Sequence, residues 1–148
     1  MTGAEKQLVE RALLEILPIL DAVSAGFYTR LVARDPSLRA FLPTDFARRE
    51  DLFREALGVL LALLDSPHTV RPLLQELGAR LRAAGVPRDV YATVDQAWLE
   101  MLALALAPPI SLALREAWAN CYAEVVAALE APARPPGARA PRTTVVRS

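Results

Sequence analysis

Apolar residues recur along this chain at the three- and four-residue spacing of amphipathic helices, and no segment alternates strictly over strand length. Near the N-terminus Leu8, Ala12, Ile16 and Leu20 share one stripe, with Leu13 and Leu17 beside it. Pro18 predicts a kink or stop near Leu17, because its ring clashes with the carbonyl one turn back. A second helix follows over about 21–33. Asp35-Pro36 then opens a short helical turn that Pro43 ends after Leu42.

A long helix is predicted over 45–64, with Phe46, Leu52, Phe53, Leu57, Leu60 and Leu64 inward, until Asp65-Ser66-Pro67 breaks it. The next, over 69–84, carries Val70, Leu74, Leu77 and Leu81 on one face and ends at Gly85. Pro87 suits the first turn of a helix over 87–107 with Val90, Val94, Trp98 and Met101 in register. Pro108-Pro109 separates it from a last helix, where Ser111 is the N-cap and Leu114, Trp118, Cys121, Val125 and Leu129 form the stripe. The fold class is therefore all-α, with six or seven helices and one short helical turn after the second.

Composition changes this picture at one end. Residues 131–148 hold four prolines, four arginines and no acid, which reads as a disordered tail behind a domain over 1–130. The chain is neutral overall, but residues 1–130 carry 13 basic and 17 acidic side chains, a net −4. A mildly acidic body argues against a nucleic-acid partner. Glu5, Glu10 and Glu15 interrupt the apolar N-terminus, so it does not read as a signal peptide. The nearly uncharged runs 59–64 and 101–114 are too short or too proline-broken to span a membrane. The expectation is a cytoplasmic protein with no membrane partner.

Candidate chemistry is sparse. There is no Ser/His/Asp set, no inward pair of carboxylates, no glycine-rich phosphate loop and no Cys/His cluster with metal spacing, so the sequence does not read as an enzyme. His68 is the only histidine and falls at a helix start, where an exposed corner residue is expected. Cys121 and Met101 sit on interior stripes and read as core.

Four stretches together resemble one family. They are Phe27-Tyr28-Thr29-Arg30-Leu31 followed by Asp35-Pro36-Ser37-Leu38-Arg39; residues 65–77; Gly85-Val86-Pro87-Arg88-Asp89-Val90-Tyr91; and Ala117-Trp118-Ala119-Asn120-Cys121-Tyr122. The chain is similar over residues 5–130 to the bacterial globins, namely the haem domain of flavohaemoglobins and the related single-domain haemoglobins. The resemblance implies a globin-like fold with a haem pocket. Its pocket positions correspond here to Tyr28, Leu42, Arg49, Phe53, Leu81, Val86, Tyr91 and Val94.

At several of these the chain departs from the family. The proximal histidine, ten residues before the tyrosine that opens the seventh helix, corresponds to Leu81. The phenylalanine that wedges the porphyrin corresponds to Leu42, and the distal glutamine to Arg48 or Arg49. The carboxylate of the last helix would fall near Ala133, with Glu130 one turn earlier. Tyr28 matches the distal tyrosine and Tyr91 the proximal-side one, although amphipathic core residues with backbone-bonded hydroxyls are the more ordinary reading of both. Leucine offers iron no lone pair, whereas haem proteins use His, Cys, Met or Tyr. His68 lies thirteen residues from Leu81, about 20 Å along the helix axis, too far to substitute.

The expectation is a globin-like protein that has lost conventional haem ligation, with no cofactor. It would act as a sensor or interaction module for a protein partner, or bind an apolar or anionic small ligand. The alternative is a haem- and oxygen-binding globin with non-histidine or absent proximal ligation, for which a haem-dependent oxygen or nitric oxide activity is the one enzymatic reading.

Overall fold

A computed structural model describes residues 1–106 and 110–132. Six α-helices follow in order: α1 (Gly3–Ile16), α2 (Leu20–Arg34), α3 (Phe46–Asp65), α4 (Pro67–Ala83), α5 (Val90–Ala105) and α6 (Leu112–Glu130). A 3-10 turn over Leu17–Ile19 joins α1 to α2, and another over Pro36–Phe41 follows α2. The predicted Pro108-Pro109 separator and the tail from residue 133 lie outside the described residues.

Local chemistry sets most of these boundaries. Thr2 and Glu5 form a reciprocal capping box: the Thr2 hydroxyl accepts from the Glu5 N–H, and the Glu5 carboxylate accepts from the Thr2 N–H. Asp35 caps the turn that Pro36 opens, accepting from Ser37 N–H at 3.1 Å. Ser111 Oγ accepts from Leu114 N–H at the head of α6. Gly85 has φ +85°, the left-handed conformation that ends α4 without a β-carbon clash. α5 starts three residues later than predicted, at Val90 with Asp89 as N-cap, so Pro87 belongs to the link.

α1 packs on α6, α2 on α5, and α4 lies against both α3 and α6. The main core joins Val9, Leu13, Ile16, Val23 and Phe27 to Trp98, Leu102, Trp118 and Cys121. A smaller cluster joins Val70 and Leu74 of α4 to Val125, Ala128 and Leu129 of α6. The helical stretch Gly3–Arg34 includes a window long and apolar enough to cross a membrane. The shorter runs considered from sequence did not reveal it, yet much of its apolar face lies in this core.

Three expectations need correction. Phe46, predicted inward, is 75% exposed, because it opens α3 ahead of the first full turn packed on the core. Leu17 is exposed because the 3-10 turn at Pro18 rotates it off the α1 stripe. Leu77 is 43% exposed although it shares a face with Leu74, because that face borders a cavity.

Candidate functional site

The helices do not close completely over the faces that meet at α3, α4 and α5. They leave a cavity of about 440 Å³, within the range of small-molecule sites. Its walls are almost entirely aliphatic and aromatic. Tyr28, Leu42, Phe53, Leu81, Val86, Tyr91 and Val94 all border it, so seven of the eight positions singled out from sequence come together in one place. Side chains leave this space open.

The eighth position, Arg49, lies beside the cavity rather than in its wall. Its guanidinium stands 5.6 Å from the centroid of the Tyr28 ring and 5.8 Å from that of Phe46. Its Nε–H donates to the Pro43 carbonyl at 2.6 Å, which holds the side chain over Tyr28. Arg48 turns outward and pairs with Glu55 at 3.8 Å. Of the two arginines that could stand at the distal position, Arg49 is therefore the one at the pocket.

On the opposite side α4 presents Leu74, Leu77 and Leu81 to the cavity. No imidazole, thiol or thioether borders it among the described residues. His68 is exposed in the first turn of α4. Met101 packs against Gly26 and receives Arg30 Nη1–H at 3.7 Å. Cys121 is fully buried in the core, and burial pushes its thiol up to about 11.

Three phenols border the cavity, in different states. Tyr122 donates its hydroxyl to the Tyr91 carbonyl at 2.6 Å, and burial raises its pKa further above the phenol range. The Tyr28 hydroxyl has no protein hydrogen-bond partner among the described residues. Burial raises its pKa, and the nearby Arg49 charge only partly offsets this, so it stays a neutral phenol at physiological pH. Sequence reasoning missed Trp98, whose ring borders the same cavity. Its Nε1–H is buried without a partner, whereas the Trp118 Nε1–H donates to Asp95 at 2.7 Å. The stripe Val90, Val94, Trp98 signals burial of Trp98, but periodicity carries no information on the hydrogen bond.

The sequence matches the Globin family over residues 25–129, well over half of the chain. The chain belongs to the globin family. Among relatives of this globin, Neuroglobin-1 of Oncorhynchus mykiss is 39% identical over 66 residues, 45% of this chain and 42% of that protein. Neuroglobin of Danio rerio is 38% identical over 66 residues, again 45% of this chain and 42% of that protein. Each match thus spans less than half of the relative's length. The fold is also that of the neuroglobin from the photosymbiotic marine acoel Symsagittifera roscoffensis. That structure superposes with a TM-score of 0.70 at 17% identity, covering 87% of this chain and 97% of the other. These relatives are neuroglobins and not bacterial flavohaemoglobins, so the narrower likeness does not follow from them.

Globins normally bind haem, and the cavity of this globin is walled almost entirely by apolar side chains. Its donor set does not match histidine ligation. Leu81 borders the cavity from α4, and the nitrogen and sulfur donors of the chain lie elsewhere. The oxygen donors that remain are phenols; Tyr122 is engaged with the Tyr91 carbonyl, and Tyr28, which has no partner among the described residues, is held in its neutral form.

Proposed function

We propose that this globin uses its cavity for an apolar ligand other than conventionally ligated haem, and that it works as a ligand-dependent sensor or interaction module. One observation carries the reading: Leu81 borders an open, nearly all-apolar cavity with no imidazole, thiol or thioether among the described residues. Burying an apolar molecule there gains roughly 25 cal/mol per Å² removed from water, with no metal bond required. Membership of the family supports a ligand-binding role, but fold alone does not name the ligand.

The test is a titration of the purified full chain with haemin, oxidised and reduced, followed by absorption. The expected outcome is a spectrum that stays that of free haemin, with an apolar molecule recovered by solvent extraction and mass spectrometry. A sharp Soret band at one haem per chain, shifting with carbon monoxide, would overturn the proposal. It would favour the haem-binding alternative and make Tyr28 the first candidate ligand.

A further inference from the structure

We infer that the ligand of this cavity is an amphipathic carboxylate, with its apolar body inside and its acid group on Arg49. The inference rests on the cavity being an apolar-ligand site, and goes further by naming the headgroup and the residue that recognises it.

Placement is the first support. Leu52, Phe53, Ala56 and Leu60 of α3 border the cavity. Arg49 stands three and four residues before Leu52 and Phe53, so it occupies the same helical stripe one turn nearer the start of α3. A molecule lying along this stripe meets aliphatic and aromatic carbon, then a guanidinium at the end. The Pro43 carbonyl fixes Arg49 through Nε, and none of the described hydrogen bonds uses its two terminal nitrogens. Such a nitrogen pair suits the two oxygens of a carboxylate.

Charge is the second. The acids near Arg49 in sequence are engaged elsewhere: Asp45 caps Ala47, Glu50 and Asp51 pair with Arg54, and Glu55 pairs with Arg48. Arg49 has no carboxylate partner among the described residues, although it is half-buried against Tyr28. An anion deep in the cavity would be costly to desolvate, whereas at this edge it meets a cation and solvent together. The combination selects a molecule that is apolar along its length and anionic at one end.

Calorimetric titration of the full chain with dodecanoate and with 1-dodecanol, both below their self-association limits, tests this. The wild type is expected to bind dodecanoate at least tenfold more tightly than the alcohol. Arg49→Gln is expected to bring dodecanoate to the alcohol's affinity while leaving dodecanol unchanged. Arg48→Gln, an exposed neighbour, is expected to change neither. Circular dichroism of each variant checks the fold. Equal affinities in the wild type, or no effect of Arg49→Gln, overturn the headgroup assignment while dodecanol binding keeps the apolar-cavity reading. Binding of neither amphiphile overturns both.

Discussion

Gly78 of α4 and Leu129 of α6 meet through their backbones: a β-carbon at Gly78 would collide with the Leu129 carbonyl oxygen. Arg82, one turn on, donates Nη1–H to the same carbonyl at 2.8 Å. That carbonyl belongs to the last turn of α6, where no intrahelical donor remains. The contact holds α4 tightly on α6, and the adjoining face of α4 carries Leu74, Leu77 and Leu81 to the cavity.

Gly78→Ala should therefore destabilise the fold by about 1–3 kcal/mol, the usual cost of overpacking against atoms that cannot yield. This outweighs the helix-propensity gain of up to ~1 kcal/mol from replacing glycine by alanine. Gly58→Ala is the control, because it lies inside α3 with nothing within 4 Å of an added β-carbon. It should stabilise by up to ~1 kcal/mol. Urea unfolding of the two variants should move the midpoint in opposite directions.

Trp98 and Trp118, which both border the cavity, should respond differently to loss of the indole N–H. Trp118→Phe breaks the bond to Asp95 and should cost about 1.5–3 kcal/mol, as for a hydrogen bond to a charged group. Trp98→Phe removes a donor that has no partner, so the lost ring volume is set against a relieved desolvation cost. Its thermal midpoint should stay closer to wild type than that of Trp118→Phe. The reverse order would show that Trp98 has a partner in solution.

Much of this was legible in the sequence, and the failures have physical causes. Helical spacing, prolines at 18, 36, 43 and 67, and Gly85 marked the element order, because those residues act on the backbone locally. The pocket positions came from resemblance, and their convergence needs only the fold. Phe46 and Leu77 were misread because periodicity assigns a face but not what the face meets, and theirs meet solvent and a cavity edge. Arg48 and Arg49 could not be told apart by spacing. They separate only once Pro43 and Tyr28 are seen to hold one of them and Glu55 the other. The orphaned Trp98 N–H left no sequence signal at all.

Cys121 gives a prediction with a definite sign. Its folded-state pKa is raised from 9 to about 11, chiefly by burial, so the native state keeps its proton where the unfolded chain has lost it. The stability this contributes is complete below pH 9 and is lost as pH rises through about 11. Stability of the wild type should fall across that window, and Cys121→Ala should fall less steeply. Tyr28 and Tyr122 are raised in the same direction and remain in both proteins, so the difference between the two slopes reports the thiol. At pH 8 the native thiol should react with a disulfide reagent far more slowly than the unfolded chain.

The most direct test of the central claim is a parallel haemin titration of the wild type and Leu81→His, followed in the Soret region, with circular dichroism confirming that both are folded. The cavity is open and lacks an axial nitrogen, so the account predicts a sharp, stoichiometric Soret band for Leu81→His and none for the wild type. Equal haem uptake with equal spectra by the two proteins would contradict it, because Leu81 would then not be what keeps iron from being ligated.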